Sequence, residues 1–227
     1  YARIQHLNVA RPNGGLLMIK AQLDLTLDLI ESCIATYAKP APSVYDATYE
    51  WIGSNAAWQN INTNWIGKLT LVFSWMTKIV GKDCDFPFCA EGVSLEDSMQ
   101  AHFISQVLDE GFHIDRGVRL IDPVSQATWA SLASAYECLL GVVKQVAASK
   151  ILHFSFPAFC LIWDNKQIEW LYQRKSRKVV SALDYVDYHK WAQRVLQRSK
   201  DKERIVERYG DTYPRVLDKC IWICSKT

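Results

Sequence analysis

A long apolar run is the first thing this 227-residue chain lacks. A transmembrane helix needs about 18 or more consecutive apolar residues, and the apolar segment 69–76 is far shorter and is interrupted by Thr and Ser. The first residues also lack the continuous apolar core and the small-residue cleavage site of a signal peptide. We therefore predict a soluble protein with no membrane partner.

A cysteine framework is absent as well. The seven cysteines are odd in number and are scattered through helical patterns, which predicts reduced thiols in a cytoplasmic protein. Two spacings, Cys84 with Cys89 and Cys220 with Cys224, invite comparison with a zinc site. Zinc requires a full tetrahedral set of Cys or His ligands, and Cys220 and Cys224 have no histidine near them in sequence. We predict no metal site and no cofactor.

Common catalytic signatures are missing too. The chain has no Gly-rich phosphate loop, no Gly-x-Ser-x-Gly elbow and no His-Glu-x-x-His helix. Metal-dependent nucleases use carboxylates and a lysine, but their sites usually lie on a sheet, which the periodicity does not support. These absences leave helical enzymes without a metal, and helical binding proteins, as the classes to consider.

Helical periodicity dominates what is present. Apolar residues recur at three- and four-residue steps, and capping residues such as Asn64, Ser94, Asp122 and Asp164 precede several of these stripes. The predicted helices cover 19–37, 45–52, 65–80, 95–108, 123–140, 147–154, a segment starting near 164, 181–197 and 212–223. With only ten glycines, the chain is predicted to form an all-α, irregular bundle of about eight or nine helices.

The remaining segments are predicted as connections. Residues 112–120 are expected to form a short strand or an irregular link, and residues 199–208 a charged connection between the last two helices. Residues 1–17 lack periodicity and are predicted to be a leader or disordered segment, with Met18 as the natural start. Residues 18–227 are predicted to form a single helical domain, and two helical subdomains meeting near residue 120 are the alternative.

The net charge of +2 conceals an uneven distribution. Residues 1–140 contain 9 Lys and Arg against 15 Asp and Glu, whereas residues 141–227 contain 17 against 9. The basic part is expected either to present a positive face to phosphate or only to solubilise the helices and attract the acidic part. A basic run is the candidate nucleic-acid contact, with a solvated turn as the alternative; it consists of Arg174, Lys175, Arg177 and Lys178.

One stretch, residues 149–164, carries candidate catalytic side chains. Lys150 and His153 are three residues apart and share a helix face, and Asp164 follows an apolar segment at the start of the next helix. A lysine beside apolar walls can lose its proton and become a nucleophile, and a nearby carboxylate can steer protons. The structural alternative is a solvated lysine, a hydrogen-bonded histidine, a helix-capping aspartate and a core Trp163.

This stretch resembles part of the helix-hairpin-helix DNA glycosylases. In that family a Gly-Val-Gly hairpin precedes a helix whose early lysine is the nucleophile in bifunctional members, and an essential aspartate follows an apolar segment. The resemblance covers about 20 residues and implies that Lys150 is the nucleophile and Asp164 the carboxylate. Val146-Ala147-Ala148 stands where the glycines are expected. The pattern Lys-x-Leu-His-Phe…Pro…Trp-Asp is also similar to that of uncharacterised bacterial proteins.

Two functions remain in competition. The first is a DNA-interacting protein with a glycosylase-like core that excises a damaged base through Lys150 and Asp164, with Trp163, Trp170 and His153 available to line a pocket for a flipped base. The second is a non-enzymatic helical protein–protein interaction module. In that case the nine tryptophans and the uneven charge would serve a protein partner or self-association.

Overall fold

The computed structural model describes residues 19–37, 113–115, 117–140, 145–173 and 181–226. About 70% of these residues are helical and none lies in a β-strand, so the all-α prediction is confirmed for the described ranges. The predicted helices at 45–52, 65–80 and 95–108, and the predicted leader, lie outside them. The total of eight or nine helices and the subdomain boundary near 120 therefore stay predictions.

The helices follow one another in a simple order, and a short 3-10 turn, Gly210–Thr212, joins the last two. They are α1 (Leu27–Tyr37), α2 (Gln126–Leu140), α3 (Gln145–Ser155), α4 (Asn165–Tyr172), α5 (Ala182–Arg198), α6 (Lys202–Tyr209) and α7 (Tyr213–Cys224). Helix α2 packs against α3 and α5, while α7 packs against α1 and α4. Within the described ranges, no helix is long and apolar enough to cross a membrane.

The helix predicted from residue 19 begins eight residues later in the structure, at Leu27. The backbone N–H groups of Lys20 and Ala21 both donate to the carbonyl oxygen of Leu171, at 2.9 and 3.0 Å. A helix that began at residue 19 would leave these two N–H groups without intrahelical partners. In the structure the Leu171 carbonyl, at the end of α4, accepts both of them. Tertiary hydrogen bonds thus stabilise an extended course over 19–26, against the helical periodicity.

The junction between α5 and α6 sets the point at which α1 starts. The Ser199 hydroxyl donates to the Leu25 carbonyl at 2.5 Å, and the Leu27 N–H donates to the Asp201 carboxylate at 3.1 Å. A carboxylate that accepts from the first turn of a helix satisfies an otherwise unpaired donor there. The first helix is therefore capped both locally, by the Thr26 hydroxyl that accepts the Leu29 N–H at 3.1 Å, and by a residue 174 positions away in sequence.

Two further boundaries differ from the prediction. Helix α2 starts at Gln126 and not after Asp122, because the Asp122 carboxylate binds the Arg119 guanidinium at 2.8 Å while the Ser125 hydroxyl accepts the Thr128 N–H. The described residues of 112–120 are irregular. The supposed charged connection 199–208 contains helix α6, which buries Ile205 and leaves its charged residues at the surface.

The cap of α4 matches the prediction, and α5, predicted to begin at residue 181, has a cap of the same kind. Asp164 and Ser181 each accept a backbone N–H from the first turn of the following helix, and each pairs with a side chain three residues on, Gln167 or Asp184, in a reciprocal capping box. Helices α3 and α7 lie within one or two residues of the predicted ranges. Local sequence signals therefore place the elements around residues 149–164 correctly.

Candidate functional site

Helix α3, which carries Lys150, lies in the interior. Residues 147–154 are all buried, without the polar face that a surface helix keeps. Lys150 is only 8% exposed to solvent. The interpretation of Lys150 as a solvated surface lysine is therefore wrong.

A serine joins α3 to the segment that leads to Asp164. The Ser149 hydroxyl donates to the Val146 carbonyl and accepts the Trp163 N–H, each at 2.9 Å. Trp163 is fully buried, as predicted for a core residue. Because Ser149 and Trp163 immediately precede Lys150 and Asp164, this contact joins the two elements that carry the candidate residues.

Two buried histidines hold the same segment from either side. The Leu161 N–H donates to His189 Nε2 at 2.9 Å, so His189 carries its proton on Nδ1 and donates it to the Tyr185 carbonyl at 2.8 Å. His153 Nδ1 donates to the Cys160 carbonyl at 2.6 Å. The Tyr185 hydroxyl donates to the Leu161 carbonyl at 2.6 Å. The backbone of residues 160–163 is thereby fixed by side chains of α3 and α5.

Both histidines are neutral at ordinary pH. Complete burial lowers the pKa of His153 to about 4 and the pKa of His189 to about 3, although each ring donates to a carbonyl that favours its charged form. His153 Nδ1 donates to the carbonyl of Cys160, which lies four residues before the capping residue Asp164. A catalytic role for His153 stays a prediction, and its position supports a structural role.

Asp164 lies at the N-terminus of α4 and is half-buried. Its carboxylate accepts the Lys166 N–H at 2.9 Å, and its own N–H donates to the Gln167 side chain at 2.9 Å. The prediction that Asp164 caps a helix is confirmed. This geometry also holds the carboxylate in one place, which a catalytic carboxylate requires.

The electrostatics of Lys150 reflect its burial among other charges. Burial lowers the pKa of Lys150; the negative charges of Asp164 and Asp218 oppose this, and the positive charge of Arg215 adds to it. The amine is therefore easier to deprotonate than that of an ordinary lysine. Asp164 is thus one of the charges that act on Lys150.

The prediction from sequence missed a buried polar network beneath this pair. Arg215 and Asp218 form an ion pair one helical turn apart on α7, with side chains only 7% and 8% exposed. Gln167, the capping partner of Asp164, donates its amide to the Asp218 carboxylate. The Arg215 guanidinium also donates to the Tyr37 hydroxyl at 3.3 Å. One continuous network thus links Asp164, α4, α7 and α1.

A signal for this network was present in the sequence. Arg215 and Asp218 interrupt the apolar stripe of α7, whose other inward residues are Tyr213, Val216, Leu217, Cys220 and Ile221. Charged residues are almost never fully buried unless they are paired, so two charges of opposite sign in such a stripe indicate an internal ion pair. The sequence does not reveal that Gln167 and Lys150 lie beside them.

The residues that stand where the glycosylase hairpin is expected lie within a helix. Residues 146–148 lie inside α3, so they cannot form a hairpin between helices. Four residues, Gly141-Val142-Val143-Lys144, separate α2 from α3 in sequence, and they lie outside the described residues. The predicted phosphate contacts Arg174, Lys175, Arg177 and Lys178 lie outside them as well.

The aromatic side chains expected to line a base pocket divide into two groups. Trp163 and His153 are fully buried in the core, whereas Trp170 is half-buried and packs edge-on against Trp191 at 6.5 Å between ring centroids. Of these three predicted pocket residues, Trp170 alone has appreciable exposed surface. The other two contribute to the stability of the site's scaffold.

The cysteine pair on α7 has a third neighbour. The thiol of Cys33 on α1 makes side-chain hydrogen bonds with Cys220 and Cys224, and burial raises the pKa of both thiols on α7. All three are free thiols, and among the described residues no group of potential ligands is arranged to hold a metal ion. Cys84 and Cys89 lie outside the described residues.

Comparison with protein-family models, with curated proteins and with solved structures finds no match for this chain.

Proposed function

We propose that this chain is a DNA-interacting helical protein with a DNA glycosylase-like core, in which Lys150 and Asp164 excise a damaged base. The observation that carries the proposal is the contact between the two elements that carry these residues. Lys150 comes from the middle of α3 and Asp164 from the start of α4, and the Ser149–Trp163 contact joins the two elements beside them.

The environment of Lys150 suits a nucleophile. An amine attacks only in its neutral form, and burial together with the charge of Arg215 lowers the pKa of Lys150, which increases the neutral fraction. The negative charges of Asp164 and Asp218 favour the protonated form of Lys150, so its amine can both lose and regain a proton. Perturbed titratable groups of this kind concentrate at functional sites.

The two carboxylates have different tasks in this proposal. Asp218 is bound by Arg215 and Gln167 in the interior, which suits a residue that positions its neighbours. Asp164 is half-buried at a helix N-terminus, where its carboxylate accepts a backbone N–H and is held in position. A carboxylate at that point is suited to stabilising positive charge that develops on a sugar ring.

The chemistry follows from these roles. The neutral Lys150 amine attacks C1′ of the nucleotide, the bond from C1′ to the base breaks, and the base leaves with the bonding electron pair and takes up a proton. The Lys150 nitrogen then loses a proton, its lone pair forms the C1′=N bond of a Schiff base, and the C1′–O4′ bond breaks as O4′ takes up a proton. Asp164 stabilises the positive charge at C1′ during bond cleavage.

The rival, a helical protein–protein interaction module, finds less support. Stable interfaces use exposed aromatic or aliphatic anchors. Within the described part of the chain, Leu183 is the one large hydrophobic residue that is exposed, at 45%. The tryptophans that motivated this alternative and that the structure describes are half-buried or buried, for example Trp129, Trp163 and Trp191.

Borohydride trapping tests the proposal. A Schiff base between Lys150 and a damaged duplex is reduced by borohydride to a stable covalent adduct, which is visible as a band of higher mass. Lys150→Ala should abolish the adduct because it removes the attacking amine. Lys166→Ala is the matched control, since Lys166 is exposed on α4 and pairs with Glu169 at 3.3 Å.

The substrate panel should include duplexes with oxidised, alkylated and deaminated bases and with an abasic site. An adduct that forms with the original chain and with the Lys166 variant, but not with the Lys150 variant, supports the proposal. Equal adduct with all three proteins, or no adduct on any duplex and no base release, contradicts it. Circular dichroism of each variant shows that loss of the adduct does not come from unfolding.

A further inference from the structure

A groove with a volume of about 540 Å³ runs between the extended segment 19–24 and helix α5. On the helix side it is lined by Trp191, Arg194, Val195 and Arg198. These positions are separated by three and four residues, so they occupy one face of α5. The buried Trp191 and Val195 form the floor, and the two exposed arginines stand at the open side.

The opposite wall of the groove is held in place by hydrogen bonds. The N–H groups of Lys20 and Ala21 donate to the Leu171 carbonyl, and the Trp191 indole N–H donates to the Ala21 carbonyl at 3.3 Å. Segment 19–24 therefore does not depend on a ligand for its course. A preformed groove loses little conformational entropy on binding.

The charge on this groove is unbalanced. Lys20, Arg194 and Arg198 line it and are exposed, and within the described ranges none of the three forms an ion pair. Asp24 is the single carboxylate among the lining residues. The groove thus carries an excess of positive charge.

Other exposed arginines of the described part differ in this respect. Arg119 pairs with Asp122 and Asp211, Arg204 with Asp201, and Arg208 with Glu31. Among the described residues, Arg194 and Arg198, on one face of α5 and beside Lys20, have no such carboxylate partner. Their guanidinium groups are therefore available to an external anion.

We propose that this groove binds the phosphate backbone of a DNA strand. The inference rests on the proposed DNA interaction, and it adds a contact surface outside the run 174–178. Two arginines one helical turn apart, with Cβ atoms about 6 Å from each other, can each make paired hydrogen bonds to a phosphate. The floor tryptophan, Trp191, is only 7% exposed and does not offer a ring face for base stacking. The groove therefore recognises phosphate without reading base sequence.

The chain's own first residues do not suit the groove by charge. Residues 1–18 contain Arg3 and Arg11 and no Asp or Glu, so they would add positive charge to a positive surface. A peptide partner would have to be strongly acidic. A DNA strand supplies one negative charge per nucleotide without further assumptions.

A salt series with a labelled DNA duplex tests the inference. Fluorescence anisotropy of the full chain is measured between low and physiological salt for the original protein, for R194E/R198E and for K166E/R204E. The two double variants change the net charge equally, but Lys166 and Arg204 are exposed residues outside the groove. R194E/R198E should bind at least about 10-fold more weakly and show a slope of log affinity against log salt that is smaller by about 2. K166E/R204E should keep the slope.

If both double variants show equal affinity and equal slope, the proposal that the groove binds DNA is wrong. R194Q/R198Q serves if charge reversal unfolds the protein, and thermal unfolding of each variant checks this. The indole N–H resonance of Trp191, assigned with W191F, should shift when the oligonucleotide is added; an unmoved resonance at saturation places the DNA elsewhere.

The outcome for the groove is separable from that for the catalytic proposal. Salt-dependent binding that requires Arg194 and Arg198, with no Lys150 adduct on any damaged duplex, leaves the groove standing and removes the glycosylase chemistry. An adduct that forms normally in R194E/R198E, with unchanged affinity, does the reverse. No DNA binding by the original chain even at low salt overturns both.

Discussion

Lys150 and Arg194 are both cations on helices of the basic part of the chain, yet their surroundings are opposite. Lys150 is 8% exposed and is influenced by Asp164, Asp218 and Arg215, whereas Arg194 is exposed beside Arg198, and neither arginine forms an ion pair with another described residue. Burial lowers the pKa of Lys150. Arg194 lies at the surface, where it can attract phosphate over a distance of about 8 Å at physiological salt.

Exposed and buried cations therefore contribute to a protein in different ways. A surface cation adds to affinity, and its removal costs the fold little. A buried cation is part of a network in which each charge compensates another, and its removal affects stability, protonation and any chemistry together. Counting Lys and Arg by sequence cannot separate these classes, whereas the predictions below do.

The largest effect is expected for Asp218→Ala. This change leaves Arg215, which is 6% exposed, without its carboxylate partner and also removes the acceptor of the Gln167 amide. Loss of one partner of a buried ion pair costs about 3–5 kcal/mol. Denaturant unfolding should show a reduction of that size in the free energy of unfolding. Arg194→Ala should change it by no more than about 0.5 kcal/mol.

A double replacement checks the cause of that loss. R215M/D218L removes both charges and keeps apolar volume, so it should recover part of the stability lost in Asp218→Ala. If Asp218→Ala and Arg194→Ala cost similar amounts, the distinction between a compensated interior and an expendable surface is wrong.

The second largest effect concerns acid. His153 and His189 have a pKa of about 4 and about 3 in the folded protein. The unfolded value is about 6.5, so as the pH falls below 6.5 the unfolded state binds protons first and stability decreases. The loss continues until the pH reaches the folded values and amounts to about 3 kcal/mol per histidine at pH 4. Unfolding by urea at several pH values measures this slope.

Variants assign the acid effect to these rings. His189→Gln should flatten the dependence of stability on pH between about 6.5 and 4, whatever its cost at neutral pH. His113→Gln is the control, because His113 is exposed. A slope that survives in the double variant H153Q/H189Q would show that other groups govern acid unfolding.

The smallest effect separates the two roles of Asp164. Asp164→Ala should cost about 1 kcal/mol because the cap of α4 is lost, whereas Asp164→Asn retains a capping oxygen and should stay close to the original stability. Asp164→Asn also removes the negative charge that raises the pKa of Lys150. Unfolding and base-release rates measured on both variants test this: a slower rate in the Asn variant at unchanged stability indicates a charge role, and an unchanged rate limits Asp164 to capping.

Local signals in the sequence predicted much of the scaffold. Asp164 and Ser181 precede helices and are followed three residues later by polar side chains, and both form capping boxes in the structure. Such signals act within one helical turn, so the surrounding sequence contains all the information that they need. The position of Lys150 on a helix and of Asp164 at the start of the next was predictable for the same reason.

Contacts between distant residues limited the prediction elsewhere. The helical stripe from residue 19 is real as a pattern, but Leu171, 151 and 150 positions beyond Lys20 and Ala21, accepts the N–H groups that a helix would have left open. The burial of Lys150 was equally hidden, because it depends on Arg215 and Asp218 on α7. Local periodicity contains no information about which distant group will compete for a backbone donor or surround a charge.

The capping of α1 has a consequence for the order of folding during synthesis. Leu27 receives its cap from Asp201, and Arg208 on α6 pairs with Glu31 on α1, 177 residues earlier. The ribosome releases the chain from its N-terminus at roughly 5–20 residues per second, so α1 waits on the order of ten seconds or more for its partners. Until then the buried face of α1, with Ile30 and Cys33, has none of its α7 contacts. The part of this apolar face that α7 covers therefore stays open until the C-terminal helices have been synthesised.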